Sequence, residues 1–111
     1  MEIKTKQLNR VDLITISGRV DSNAAARLED ALKACTEAER YCIVIDMHGL
    51  EYISSRGLRA LVTALKETQE WNRGDLRLCN VPPRIQSVLD LTGFTPLFKI
   101  YDNTVDAVGS F

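Results

Sequence analysis

An apolar run that leads into a helical stripe is the feature that most constrains the fold of this chain. The residues CIVID at positions 42–46 show no alternation before the final acid, which is typical of a strand covered on both faces. Leu58, Leu61 and Leu65 then recur every three or four positions, the spacing of an amphipathic helix. A buried strand followed by a helix predicts a central position in a partly parallel sheet, because helical crossovers join parallel strands.

The segment before this run predicts two short strands. Residues 3–8 and 11–17 are β-rich, and only Asn9 and Arg10 separate them. A two-residue connection between such runs is typical of a hairpin, so we expect these strands to pair antiparallel.

A first amphipathic helix is predicted between the hairpin and the central strand. Its inward side is formed by Ala25, Leu28, Ala31, Leu32 and Cys35. Asp21, Ser22 and Asn23 precede it, and all three residue types favour the N-cap position. We therefore expect the helix to begin at about these residues.

The second half of the chain repeats the alternation of helix and strand. We expect the helix of Leu58 and its neighbours to end near Trp71, with Gly74 as its left-handed cap. The residues DLRLCNV at 75–81 alternate in polarity, as a strand does.

The remaining elements are marked by proline, glycine and asparagine. The two prolines at 82–83 favour the start of a third helix, which Gly93 closes. The residues LFKIY at 97–101 predict a last short strand. Asn103 is suited to cap a final short helix that runs through Val108.

The predicted element order is therefore β-β-α-β-α-β-α-β-α. This order places the chain in the α/β class, with a single mixed β-sheet packed with helices and right-handed crossovers. A chain of 111 residues that is 45% hydrophobic has enough apolar material for one core, so we expect one domain over residues 1–111.

Composition and charge exclude several classes of function. The net charge is −1 and charges of both signs are interspersed, so there is no basic stripe for nucleic acid. No apolar run approaches the length of about 18 residues that a membrane span needs, and the first residues lack the apolar core of a signal peptide. We expect a cytoplasmic protein without a membrane or nucleic-acid partner, in which Cys35, Cys42 and Cys79 are small buried hydrophobes rather than disulfides or metal ligands.

The residues offer little for catalysis or cofactor binding. His48 is the only histidine, and in this interpretation it lies in a loop after Asp46 without a second ligand at metal-binding spacing. It lies near Ser54 and Ser55 in the sequence, so a nucleophilic pair stays open, but no nucleophile elbow or oxyanion device is evident. Glycine-rich nucleotide motifs are absent. We expect no enzyme, no metal and no cofactor.

The adjacent serines Ser54 and Ser55 carry two interpretations. The first four N–H groups of a helix are unpaired and the helix dipole is positive there, so a serine at this point caps the helix. The same position is suited to carry a phosphate. Arg56 adds a cation, and Gly57 leaves backbone room for an approaching partner.

A resemblance to a known family favours the second interpretation. The segment VIDMHGLEYISSRGLRALVTALKE at 44–67 resembles the signature of the STAS domain family, the bacterial anti-sigma factor antagonists. That signature is an apolar strand that ends in Asp, a short loop and an Asp-Ser-Ser-Gly-Leu or Ser-Ser-x-Gly-Leu helix start. Residues 16–32, 76–94 and 97–108 resemble the flanking strands and helices of that family. The resemblance covers essentially the whole chain in the expected order.

The resemblance implies a non-enzymatic switch. In this family the unphosphorylated antagonist binds an anti-sigma factor, a serine kinase of the histidine-kinase-like ATPase fold, and thereby releases the sigma factor. The kinase phosphorylates a serine at the start of the second helix, which breaks the complex, and a PP2C-type phosphatase restores it.

Alignment on the Gly-Leu pair of the family motif implies that Ser55 is the phosphorylated residue. Ser54, a lesser candidate, then stands where many members have Asp, and Arg56 stands where they have a second Ser or a small residue. The lost acid is expected to change the preference of the kinase. Arg56 is expected at the interface, where its bulk selects a particular partner.

The partner surface is expected at one end of the sheet, where the turns before the first two helices meet. Its members are Asp21, Ser22, Asn23, His48, Ser54, Ser55, Arg56, Gly57 and Arg59. For Asp21, partner contact and simple capping stay equally open. We expect a monomer in the absence of a partner.

Two other classes of function stay open at this point. STAS domains also serve as docking subunits of lipid-transport machines or stressosome-like scaffolds, where the same helix end binds without phosphorylation. A small-ligand-binding module is the third interpretation. The nature of the co-purifying partner distinguishes them: a kinase-fold anti-sigma factor supports the switch, and an ABC-transporter ATPase supports transport.

Overall fold

A computed structural model describes residues 1–111 and has the predicted order of elements. The strands are β1 (Glu2–Leu8), β2 (Val11–Val20), β3 (Cys42–Ile53), β4 (Asp75–Cys79) and β5 (Ile100–Tyr101). The helices are α1 (Ser22–Glu37), α2 (Ser55–Gln69), α3 (Pro83–Leu91) and α4 (Thr104–Gly109), with 3₁₀ turns at Glu70–Asn72 and Thr95–Leu97.

The five strands form one sheet in the order β1-β2-β3-β4-β5. The hairpin of β1 and β2 is antiparallel, and the remaining neighbours are parallel, so the predicted mixed sheet is confirmed. Asn9 makes the hairpin turn with a φ angle of 42°. The strand CIVID belongs to β3 at the centre of the sheet, as its uninterrupted apolar run predicts.

The two faces of the sheet are covered unequally. The larger core lies between one face and the helices α1, α2 and α3, and includes Ile14, Ile45 and Leu61. On the other face α4 covers a smaller cluster formed by Val11, Cys42, Val44, Cys79 and Ala107. All three cysteines are buried and free, as their positions predicted.

The central strand is longer than its apolar run. The sequence interpretation placed His48 in a loop after Asp46, but β3 continues to Ile53, so that prediction was wrong. The reason is that β2 also continues, to Val20, and pairs with residues 49, 50, 52 and 53, with one shift in register before residue 49 and a second before residue 52. This pairing satisfies backbone groups that a loop would leave to solvent.

Two local predictions about chain reversals and strand length were also wrong. Trp71 and Asn72, with φ angles of 58° and 56°, form the left-handed turn after α2, and Gly74 does not. Gly74 is needed for space, since a Cβ atom there would clash with the carbonyl oxygen of Tyr41. The last strand has two residues rather than five, because Thr95–Leu97 forms a 3₁₀ turn first.

The other predicted helix boundaries are confirmed. Asp21 and Asn103 are the N-caps of α1 and α4. Pro83 is the first residue of α3, and Gly93 has a φ angle of 76° just after that helix ends. These are the positions at which the backbone needs an acceptor side chain, a preset φ angle or a left-handed residue.

Candidate functional site

The candidate site lies where β2 and β3 end side by side. Val20 and Ile53 are partners in the parallel ladder, and α1 and α2 begin two residues after them. The backbone N–H of Ser54 donates to the carbonyl of Val20 at 2.8 Å, which ties the two strand ends together. The two turns that lead into α1 and α2 are therefore neighbours, as parallel pairing predicted.

Ser54 is the N-cap of α2. Its hydroxyl oxygen accepts the backbone N–H of Gly57 at 3.1 Å, and the residue is only 7% exposed. One of the unpaired N–H groups of the helix start is satisfied in this way. The capping interpretation therefore holds for Ser54.

Ser55 is the first residue of α2 and differs from Ser54 in its surroundings. Its side chain is exposed, and its hydroxyl makes no hydrogen bond within the chain. It lies at the positive end of the helix dipole. Each serine therefore fits one of the two interpretations: the Ser54 hydroxyl caps the helix, and the Ser55 hydroxyl is accessible to a second molecule.

Arg56 is exposed, but its guanidinium is already engaged. Its Nε and one terminal nitrogen donate to the two carboxylate oxygens of Glu29 on α1, at 3.0 and 3.2 Å. The other terminal nitrogen donates to the carbonyl of Ser22 at 3.2 Å. The hydrogen bonds from Arg56 lower the pKa of the Glu29 carboxyl. Sequence reasoning missed Glu29, because Arg56 and Glu29 are 27 positions apart and lie on different helices.

Gly57 has a packing role that sequence reasoning did not predict. It is buried, and a Cβ atom there would lie 2.8 Å from Cγ1 of Ile53 and 3.0 Å from Cγ1 of Val20. The space that a side chain would occupy at Gly57 is therefore filled by the ends of β2 and β3. This glycine permits α2 to approach the sheet closely.

A groove runs along α2 from Ser55. It has a volume of about 220 Å³, and its lining residues come from α2 and from the segment after α3: Ser55, Leu58, Arg59, Val62, Thr92 and Phe94. Arg59 is exposed and makes no salt bridge or hydrogen bond within the chain. Sequence reasoning missed Thr92 and Phe94, because nothing local to them indicates that they meet α2.

The start of α1 forms the other side of the site. Asp21 accepts the backbone N–H of Ala24 at 2.8 Å and is exposed, so the capping interpretation is confirmed for it. Ser22 and Asn23 are also exposed in the first turn of α1.

His48 belongs to a separate cluster. Its backbone N–H and its ring Nδ1 both lie within hydrogen-bond distance of one oxygen of the buried Asp46, at 3.1 and 3.2 Å. The side-chain amide of Asn80 donates to the same oxygen at 3.1 Å, and Thr104 lies near the other oxygen at 3.5 Å. No hydrogen bond joins His48 to either serine, so the structure does not assemble a serine–histidine pair.

The site also lacks a grouping for metal binding. No three histidine, cysteine or acidic side chains are close enough to hold an ion. What the site presents is an exposed hydroxyl, a free guanidinium beside it, and an apolar groove.

Comparison with known proteins agrees with this fold. Residues 2–107 match the model of the STAS domain, and the chain belongs to that family. BtrV of Bordetella bronchiseptica, provisionally named an anti-sigma factor antagonist, is 28% identical over 111 residues, which are 100% of this chain and 95% of that protein.

No helix of the chain combines the length and the apolar character that crossing a membrane requires.

Solved structures share the whole architecture. The crystal structure of an anti-sigma factor antagonist from Mycobacterium paratuberculosis has a TM-score of 0.87 at 23% identity, over 98% of this chain and 92% of that one. The Bacillus protein SpoIIAA in its phosphorylated form has a TM-score of 0.78 at 15% identity, over 98% of each chain.

Proposed function

We propose that this protein is an anti-sigma factor antagonist that acts by binding. Its unphosphorylated form binds an anti-sigma factor of the serine-kinase type through the surface around Ser55, and so releases the sigma factor. Membership of the STAS family and the similarity to BtrV support this proposal. The observation that carries it is the exposed, unbonded hydroxyl of Ser55 next to a capping Ser54.

The same kinase ends the interaction by modifying Ser55. It transfers the γ-phosphoryl group of ATP to the Ser55 Oγ: a new O–P bond forms, and the bond from the γ phosphorus to the bridging oxygen breaks. ADP leaves, and the hydroxyl proton passes to a base of the kinase. A PP2C-type phosphatase reverses the change, since water then takes up the phosphoryl group and the hydroxyl is restored.

The added charge is sufficient to break the complex. A phosphate adds about −1.5 to −2 charge at neutral pH, and a helix N-terminus tolerates it within the domain. A partner surface shaped for a neutral hydroxyl does not, because an unpaired buried charge costs several kcal/mol. A loss of about 3 to 4 kcal/mol weakens binding by two to three powers of ten.

The burial and the hydrogen bonds of the two serines support Ser55 rather than Ser54 as the proposed acceptor. The Ser54 hydroxyl is buried and occupied by the N–H of Gly57, so a kinase would have to open the helix start to reach it. The Ser55 hydroxyl needs no such opening. Asp21, Ser22, Asn23 and Arg56 are proposed to contribute to the same partner surface, and His48 to lie at its margin.

Co-purification followed by phosphorylation tests this proposal. The tagged chain is used to isolate its partner, and the isolated kinase is then incubated with ATP and either the unmodified chain, Ser55→Ala or Ser54→Ala. We expect one added phosphate on the unmodified chain and on Ser54→Ala, and none on Ser55→Ala. Capture of an ABC-transporter ATPase, or of a scaffold protein without transfer of phosphate, would instead favour a docking subunit.

A further inference from the structure

Two arginines lie close enough in sequence to Ser55 to receive a phosphate placed there. Arg56 follows it directly, and Arg59 lies four residues on. On a helix surface, residues four apart are neighbours, whereas residues one apart point away from each other. Long side chains on a helix also lean towards its N-terminus, so that of Arg59 is directed back to the turn that contains Ser55.

The existing contacts of the two arginines also favour Arg59 as the residue that binds the phosphate. Arg56 donates to both carboxylate oxygens of Glu29 and to the carbonyl of Ser22. To reach a phosphate it would have to give up a bidentate pair. Arg59 has no such bond to give up. Arg59 and Ser55 line the same groove of about 220 Å³, which a phosphate could enter. Arg59 also lines the groove between α1 and α2 that contains Glu29, but it makes no salt bridge to that carboxylate.

We propose that Arg59 receives the phosphate of phosphorylated Ser55, while Arg56 stays paired with Glu29. This inference rests on the proposed function, because it takes Ser55 as the modified residue. A guanidinium forms charge-assisted hydrogen bonds to phosphate oxygens, which favour the dianion over the monoanion. Ser55 and Arg59 line the groove together with Leu58 and Phe94, so the pair would place the Arg59 guanidinium on the surface proposed for the partner.

The test measures the second pKa of the phosphate and needs no kinase or partner. Full-length chain with phosphoserine incorporated at position 55 is titrated by ³¹P NMR, alone and with Arg59→Gln, Arg59→Lys, Arg56→Gln or Arg10→Gln. Arg10 is a matched control, because it lies in the β1–β2 turn at the opposite end of β2. Each glutamine variant removes one positive charge, so the net charge of the chain changes equally and only the distance from Ser55 differs.

The expected result is specific to Arg59. We expect Arg59→Gln to raise the pKa of the phosphate by about 0.3 to 0.7, as for a partly exposed ion pair, and Arg59→Lys to raise it less. Arg56→Gln is expected to have a smaller effect than Arg59→Gln, and in 1 M salt the differences shrink. The inference is overturned if Arg59→Gln shifts the pKa no more than Arg10→Gln, or if Arg56→Gln shifts it most.

The titration tests the role of Arg59, and a binding measurement with the isolated kinase tests the proposed switch separately. If the phosphoserine protein binds the isolated kinase as tightly as the unmodified chain does, the switch is disproved, whatever the titration gives. If binding falls but Arg59→Gln leaves the pKa of the phosphate unchanged, the switch stands and the role of Arg59 is disproved.

Discussion

Ser54 and Ser55 are adjacent in the chain, yet only the Ser54 hydroxyl is bonded within it. Ser54 accepts the N–H of Gly57 at 3.1 Å and is buried, whereas Ser55 is exposed and its hydroxyl is free. A helix needs only one N-cap. The second serine is therefore not required by the helix, and its hydroxyl is available to another molecule.

The capping role of Ser54 predicts a loss of stability on its removal. Ser54→Ala leaves the N–H of Gly57 without its acceptor, so the free energy of unfolding should fall by about 0.5 to 2 kcal/mol. Ser55→Ala should change it by less than about 0.5 kcal/mol, because no bond is lost. Urea denaturation measures both. Ser54→Asp provides a control, since aspartate is an equally good N-cap residue; equal losses for the two alanine variants would contradict the assignment.

The position of Gly57 predicts that even one added methyl group lowers the free energy of unfolding. In Gly57→Ala the new Cβ would lie 2.8 Å from Cγ1 of Ile53, so α2 or the ends of the strands must move. Overpacking of this kind costs about 1 to 3 kcal/mol, which exceeds the helix propensity gained.

Gly109 provides the matched control for that substitution. It is the last residue of α4, and no atom lies within 4 Å of a Cβ added there. Gly109→Ala should therefore change the free energy of unfolding by less than about 0.5 kcal/mol. A Gly57→Ala variant as stable as Gly109→Ala would show that α2 shifts freely against the sheet.

The sequence was sufficient to predict the order of elements and the helix starts. Uninterrupted apolar residues identified the central strand, and side-chain acceptors such as Asp21 marked the N-caps, because these signals are local. The length of β3 was not predictable from its own residues, since pairing with β2 sustains it as far as Ile53.

The candidate site was only partly predictable for the same reason. The adjacent serines stand out in the sequence, but which of them caps the helix depends on where α2 begins. Glu29 and Phe94 reach the site from other elements, at separations that no local pattern encodes. The packing role of Gly57 was not predictable, because the atoms that require a glycine there belong to Val20 and Ile53.

The edges of the sheet predict a monomer in the absence of a partner. One edge is β1, which carries the exposed charges of Lys4 and Lys6, and the other is β5, which has only two residues. Charged and very short edge strands disfavour pairing between chains. Sedimentation velocity should give the mass of one chain, 12.4 kDa, over a wide range of concentration. A dimer that persists on dilution would contradict this prediction.

The last prediction concerns charge at Ser55. Ser55→Asp should keep the domain folded, because an acid in the first helical turn complements the dipole by about 0.3 to 1 kcal/mol. Its binding to the isolated anti-sigma factor kinase should nevertheless fall by at least about tenfold, which corresponds to 1.4 kcal/mol, since aspartate carries only part of the charge of a phosphate. Ser55→Ala should bind as the unmodified chain does and act as a permanently active antagonist. Titration calorimetry measures both affinities, and equal values would mean that the partner does not bury this hydroxyl.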